Sequence, residues 1–176
     1  ERYDHLLCLL PFEPPYFQAE NLPSSFIGHE IAWWWKARGD AEAFRRYYDL
    51  SPDAPLLAVF PGSRRGEITR LWPAFSGAIS LLRQDIPSLQ VVIQVPDSLV
   101  DSMQERVAAA ALPALVISNR ADKKNLFAAA TVALAKSGTI GLECALAGLA
   151  SIISYRANAL SVYLLRRMIK VPYVNL

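Results

Sequence analysis

Two short stretches carry the residue types that could hold a phosphorylated ligand. The first is Phe60-Pro61-Gly62-Ser63-Arg64-Arg65-Gly66-Glu67-Ile68, which directly follows the apolar run Leu56–Phe60. Gly62 and Ser63 at the carboxyl end of a buried strand let the backbone approach a ligand closely, at the edge where open α/β sheets bind their ligands. Arg64 offers a rigid fork of donors that matches phosphate oxygens. The same residues also make an ordinary strand-to-helix loop with solvated arginines, so this stretch alone leaves both readings open. The second stretch is Ala135-Lys136-Ser137-Gly138-Thr139-Ile140-Gly141-Leu142-Glu143. Here a strand ends in Ser-Gly-Thr and a helix begins at once, presenting unpaired amides, the positive end of a dipole and two hydroxyls. Glu143, about one turn inside, could accept from ribose hydroxyls while the amides hold phosphate. The plainer alternative makes Ser137 or Thr139 a helix cap and Glu143 a charge favoured by the dipole.

Other chemistries lack their signatures. The P-loop pattern, the dinucleotide Gly-x-Gly-x-x-Gly and the Gly-x-Ser-x-Gly elbow are all absent, as is any metal-ligand spacing of His, Cys, Asp and Glu. His29, in Phe26-Ile27-Gly28-His29-Glu30, is one of two histidines and could act as a base, a phosphate donor or a structural loop residue.

The elements that must position these residues follow from the apolar pattern. From Leu56 onward, near-continuous apolar runs at Leu56–Phe60, Gln90–Val95, Leu115–Ser118, Val132–Lys136 and Ala150–Tyr155 read as parallel strands covered on both faces. Helical patterns separate them at Trp72–Gln84, Ser98–Ala111, Asp122–Ala129 and Thr139–Ala147, and a fifth follows at Ala159–Lys170. Pro73 suits a first turn, so the first of these helices is expected to start near Trp72 rather than Gly66. Gly141 softens the helix after Ser-Gly-Thr by about 1 kcal/mol relative to alanine. The expected fold is α/β, a Rossmann-like doubly wound parallel sheet. Before Leu56 the pattern changes to short strands at His5–Leu10 and Ser25–Ile27 around a Pro-rich turn, Pro11 to Pro15. A short helix at Ala41–Tyr48 and a linker at Ser51–Pro55 follow.

Composition agrees with a packed domain. Of 176 residues 53% are apolar and 19% charged, with a net charge of +2, which argues against disorder and gives no electrostatic case for nucleic acid. The two cysteines, Cys8 and Cys144, lie in apolar runs like small core residues rather than in a disulfide framework. No apolar run reaches the roughly 18 residues of a spanning helix. The ends, Glu1 running straight into a strand and the apolar Val174-Asn175-Leu176, read as those of a segment from a longer chain.

Together these residues resemble the bacterial lipid-A-disaccharide synthases, inverting glycosyltransferases of the GT-B fold. The matching pieces are Leu10-Pro11-Phe12-Glu13, Phe26-Ile27-Gly28-His29, Pro61-Gly62-Ser63-Arg64 with Glu67-Ile68, and Ser137-Gly138-Thr139 with Leu142-Glu143. Tyr155-Arg156 and Tyr163-Leu164 leading to Val171-Pro172-Tyr173-Val174 complete the series, in the family's order along nearly the whole chain. The resemblance implies transfer of 2,3-diacylglucosamine from UDP to the 6-hydroxyl of 2,3-diacylglucosamine 1-phosphate, giving the lipid A disaccharide 1-phosphate and UDP. It implies a nucleotide site of Gly62, Ser63, Arg64, Ser137, Gly138, Thr139 and Glu143, with His29 and Arg156 as further phosphate or acceptor contacts. It implies no metal and no cofactor, the UDP-sugar being a substrate. Residues 1–54 are then the end of the N-terminal, acceptor-side domain with its linker, and residues 55–176 a truncated C-terminal nucleotide-sugar domain. The family's general base is expected before Glu1, so no catalytic base is assigned.

An enzyme of this kind takes acylated substrates from a bilayer, implying a peripheral position on the cytoplasmic face of the bacterial inner membrane. Ala32-Trp33-Trp34-Trp35-Lys36 and the helix Ala159–Lys170, with Leu160, Leu164, Met168 and Ile169 set against Arg166, Arg167 and Lys170, could touch that surface or serve as ordinary core-facing stripes. Competing readings are another UDP-sugar GT-B protein, a 2-epimerase or the muramyl-pathway glucosaminyltransferase, and a non-catalytic nucleotide-binding domain.

Overall fold

The structure is a computed structural model that describes residues 3–35, 39–118 and 122–156, with the side chains of Trp33 and Trp34 excepted. The expected helix Ala159–Lys170 and the motif Val171–Val174 lie outside the described residues. The chain divides into two compact units, Glu1–Ala37 and Arg38–Leu176.

In the smaller unit, strand β1 (Leu6–Cys8) pairs in parallel with β2 (Ser24–Phe26), Leu6 opposite Ser24. Helix α1 (Pro14–Gln18) joins them, and α2 (Glu30–Trp34) follows β2. Neither helix was expected. The Pro11–Pro15 stretch suggested only a turn, but prolines are tolerated in a helix's first turn, where their missing N–H groups have no acceptor to lose. Glu13 organises the approach, its Oε2 accepting from the amides of Leu9 and Leu10 at 3.0 and 2.8 Å.

The larger unit is built on a five-stranded parallel sheet in the order β5-β4-β3-β6-β7, with β3 at Leu56–Phe60, β4 at Gln90–Gln94, β5 at Leu115–Ile117, β6 at Val132–Lys136 and β7 at Ser151–Ser154. All five strands fall where the apolar runs put them. The connecting helices are α4 (Arg65–Asp85), α5 (Val100–Ala109, led in by a 3₁₀ turn at Asp97–Leu99), α6 (Lys123–Ala129) and α7 (Thr139–Ala147). This is the Rossmann-like doubly wound arrangement. The chain runs from β3 outward through β4 to β5, then crosses back to lay β6 on the other side of β3. The direction of winding therefore reverses between β3 and β6.

Strand alternation divides the interior. Leu57, Val59, Val91, Ile93 and Leu134 point to the face where Ile68, Leu71, Phe75 and Ile79 of α4 and Met103 and Val107 of α5 form one cluster. Phe60 points the other way, stacking on Phe127 of α6 with ring centroids 5.2 Å apart.

The start of α4 corrects the sequence reading. The helix begins at Arg65, not near Trp72, and carries Pro73 in its interior. The proline removes one backbone bond and crowds the preceding turn, a cost of ~3 kcal/mol. It sits on the exposed side, whereas Ile68, Leu71, Trp72, Phe75 and Ile79 form an unbroken buried stripe on both sides of it. Burial of that stripe, at about 1.5–3 kcal/mol per large apolar side chain, outweighs the loss.

Helix α3 (Ala41–Tyr47) belongs to the larger unit and is fastened there by polar contacts. Asp40 caps it, accepting from the Ala43 amide at 2.8 Å, while its own amide donates to Asn125 Oδ1 at 2.7 Å. Arg45 donates to the carbonyls of Ala54 and Ala129 at 3.0 and 2.9 Å, and the Tyr48 hydroxyl to Asp122 Oδ2 at 2.8 Å. Burial, followed by that bond to a carboxylate, pushes the Tyr48 phenol well above its ordinary value. Gly39 is required sterically, since a Cβ there would run into the Lys124 backbone.

Candidate functional site

Strands β3 and β6 are neighbours and both end in a loop that turns into a helix, so their carboxyl ends bring the two chemistry-bearing stretches side by side. Between them opens a cavity of about 560 Å³ at the point where the winding reverses. In open α/β sheets this crevice is the expected ligand position. Gly62, Ser63, Arg64, Ser137, Gly138, Thr139 and Glu143 all line it. Phe60 lies at its base, and Gln94, Pro96, Asp97 and Ser118 extend the wall along the ends of β4 and β5.

The two loops are finished differently. In the first, Gly62 adopts φ +128°, a region costly for a side-chain-bearing residue, and Arg64 is the N-cap of α4. Glu67, in the first turn of α4, folds back so that its Oε2 accepts from the Ser63 amide at 3.2 Å. Its Oε1 lies 3.1 Å from Lys136 Nζ and 3.5 Å from an Arg64 guanidinium nitrogen. Burial alone would raise the Glu67 carboxyl, but the Lys136 hydrogen bond, the Ser63 amide and the charges of Lys136 and Arg64 together hold it below the usual carboxylate range. Arg64 itself is 82% exposed and reaches outward.

In the second loop the N-cap of α7 is Gly138, at φ +154°, with no side-chain cap and no acidic residue in the first turn. Gly138 thus holds the N-cap position, with Ser137 before it and Thr139 as the first helical residue. The Ser137 amide donates to the Ser154 carbonyl at 2.8 Å, which ties the loop to the end of β7. Thr139 and Ile140 at the start of α7 line the cavity, and helix geometry gives their amides no intrahelical acceptor, whereas the Gly141 amide already donates to the Gly138 carbonyl at 3.0 Å. One turn on, the buried Glu143 meets Lys123 of α6, whose Nζ lies 2.8 Å from Oε1 and 2.6 Å from Oε2. Oε2 takes part in that ion pair but accepts no directed hydrogen bond among the described residues. Beside it Cys144 is fully buried, and burial pushes its thiol up to about 11.

The remaining sequence candidates lie elsewhere. His29 is in the smaller unit and caps α2, its Nδ1 accepting from the Ile31 amide at 3.2 Å. Arg156 follows β7, exposed, and donates a long hydrogen bond of 3.4 Å to the Arg70 carbonyl. Sequence reasoning gave no role to Lys123, Lys136 or Glu67. Lys136 and Glu67 stood inside the quoted motifs, but their meeting depends on β6 lying next to β3. No local pattern states that adjacency.

What this arrangement can do is hold an anion without a metal: an arginine on one side, a helix start with two hydroxyls on the other, and a buried carboxylate one turn further in. Comparison with known proteins bears on the fold and the family. The crystal structure of WaaG, a glycosyltransferase involved in lipopolysaccharide biosynthesis, superposes with a TM-score of 0.51 over 84% of this chain and 43% of that one. At 19% identity this speaks for the fold alone, the GT-B type. The family model described as lipid-A-disaccharide synthetase matches residues 1–176. The lipid-A-disaccharide synthase of Rhodospirillum centenum is 47% identical over 98% of this chain and 43% of its own length. Those of Granulibacter bethesdensis and Yersinia pseudotuberculosis are 38% and 34% identical, each over 98% of this chain and 44% of theirs. The chain thus spans less than half the length of these curated relatives. The ordered motifs, the sheet that carries them and the match along the entire sequence agree: the chain belongs to the lipid-A-disaccharide synthetase family.

Proposed function

We propose that the cavity between β3 and β6 binds the UDP portion of a nucleotide sugar. The chain would then supply the nucleotide-binding half of a lipid-A-disaccharide synthase. The observation that carries this reading is the convergence of Arg64 and the uncapped start of α7 on one cavity, with Glu143 one turn behind. Arg64 neutralises the diphosphate, Ser137 and Thr139 with the α7 amides complete the cradle, and Glu143 holds the ribose. His29 and Arg156 serve as further phosphate or acceptor contacts. Residues 1–54 end the acceptor-side domain and its linker, and residues 55–176 form the nucleotide side.

In the full reaction the 6-hydroxyl of 2,3-diacylglucosamine 1-phosphate attacks the anomeric carbon of UDP-2,3-diacylglucosamine. The bond to the phosphate oxygen breaks with inversion, UDP departs, and the hydroxyl proton passes to a base that this chain does not identify. Fixed donors aimed at the departing diphosphate stabilise the charge that develops there, an effect commonly worth several kcal/mol. Among the described residues no helix is long and apolar enough to cross a membrane. The acylated substrates support a peripheral position on the cytoplasmic face of the inner membrane.

Calorimetric titration of the chain with UDP and UMP tests the site. UDP binds more tightly than UMP, and Arg64→Ala and Glu143→Gln each weaken it. Absence of UDP binding, or variants indistinguishable from the parent, would remove the reading. Turnover of the two acylated glucosamines by a chain of the relatives' full length tests the reaction.

A further inference from the structure

The contact between Lys136 and Glu67 has no ligand role in the reading above, yet it ties the end of β6 to the loop that carries Arg64. The Glu67 carboxylate gathers the Ser63 amide, the Arg64 guanidinium and, from the end of the neighbouring strand, Lys136. Lys136 in turn underlies the second loop: a Cβ on Gly138 would stand 3.9 Å from its Nζ. The same ammonium lies 5.9 Å from the centroid of the Tyr155 ring. At Gly62 a Cβ would come within 2.9 Å of Glu67 Oε2, so the absence of a side chain is what lets the carboxylate lie flush beneath the first loop.

We infer that Glu67 is a positioning residue: through Lys136 it fixes the β3–α4 loop against the β6–α7 loop, so that the diphosphate cradle is assembled before the ligand arrives. The inference rests on the cavity being a diphosphate site. A carboxylate there is otherwise paradoxical, because it cancels one of the two cations beside an intended anion. The paradox supplies the test, since charge and position predict opposite signs. If Lys136 and Arg64 act as loose point charges on phosphate, Glu67→Gln raises the local positive charge and tightens binding. If Glu67 positions, the same variant releases Lys136 and weakens binding although the cavity has become more positive.

The experiment is a UDP and UMP titration of the parent, Glu67→Gln, Lys136→Met, Lys136→Arg and the Glu67→Gln/Lys136→Met pair, well below each melting temperature. The expected result is a roughly tenfold weaker UDP affinity for Glu67→Gln, the scale of a lost hydrogen bond to a charged group. UMP should change less, Lys136→Arg should retain most of the affinity, and the double variant should be little worse than either single one. Should Glu67→Gln leave its loop unfolded, Glu67→Asp carries the test: it keeps the charge and shortens the reach, so weaker UDP binding supports positioning and unchanged binding overturns it. Equal or tighter UDP binding by Glu67→Gln, or strictly additive losses in the double variant, overturns the inference while leaving the site in place. A parent chain that binds no UDP overturns both.

Discussion

The two loops at the carboxyl edge of the sheet look alike in sequence, each a strand ending in small and hydroxyl-bearing residues before a helix. In the structure they solve opposite problems. The β3–α4 loop carries its own anion: Glu67 occupies the Ser63 amide and lies in the first turn of α4, so the positive end of that helix is already answered. The β6–α7 loop has no acid in the first turn of its helix and no side-chain cap, and its carboxylate, Glu143, is set back and paired with Lys123. The first loop is a rigid mount for an exposed arginine. The second is an open receptor for a negative group. A helix start is a ligand site only when its own sequence leaves it unanswered.

The contrast can be broken at several points. The largest effect is expected at Lys123, whose removal as Lys123→Met leaves the carboxylate of Glu143, only 7% exposed, without its partner. A loss of about 3 kcal/mol in chemical denaturation is expected, with most of it restored in Lys123→Met/Glu143→Gln. A loss below about 1 kcal/mol would mean that this pair is held by solvent rather than by burial. Next come the glycines, which should separate the loops directly. Both glycines hold a positive φ that strains an alanine, but Gly62→Ala adds a clash against Glu67 and should cost about 2 kcal/mol, whereas Gly138→Ala adds only ordinary contact with Lys136 and should cost about 1. Equal melting temperatures for the two variants would erase the distinction.

Arg64→Ala should do the reverse, lowering UDP affinity about tenfold with melting unchanged, because the side chain is largely exposed and its ion pair is a weak surface one. The smallest effect is on acid stability. The Glu67 carboxyl titrates below its unfolded value because Lys136 and Arg64 face it, so its contribution is complete above the unfolded pKa and fades as pH falls through the folded one. Glu67→Gln should flatten that acid limb in denaturation curves taken at a series of pH values, and an unchanged limb would count against the Lys136 contact.

Much of this was legible before any coordinates. Five apolar runs located five strands, and Thr139–Ala147 matched α7 to the residue, because buried parallel strands and their crossovers write themselves as local pattern. Gly62, Ser63, Arg64, Ser137, Gly138 and Thr139 could be picked out from their place at the ends of β3 and β6, and Glu143 from its place one turn into α7, whereas His29 and Arg156 do not line the cavity. What sequence could not state was adjacency. That β6 returns to the side of β3 is a fact of topology, and it alone brings Lys136 to Glu67. The start of α4 was hidden for a different reason: Pro73 is a strong local signal, overruled by a buried stripe that continues across it. Helices α1 and α2 are too short for the apolar period to show.

The strand order carries a consequence for how the molecule loosens. Both loops spring from β3 and β6, which with β4 are the strands that have a hydrogen-bonded neighbour on either side, whereas β5 and β7 each have one such neighbour among the described residues. Sub-global opening begins where a ladder has a free edge and reaches doubly paired strands last. Amide exchange should therefore be slowest in Leu56–Phe60, Gln90–Gln94 and Val132–Lys136, and the strand ends that carry the loops should inherit that protection. A chain already fraying at its margins would keep the geometry of the two loops.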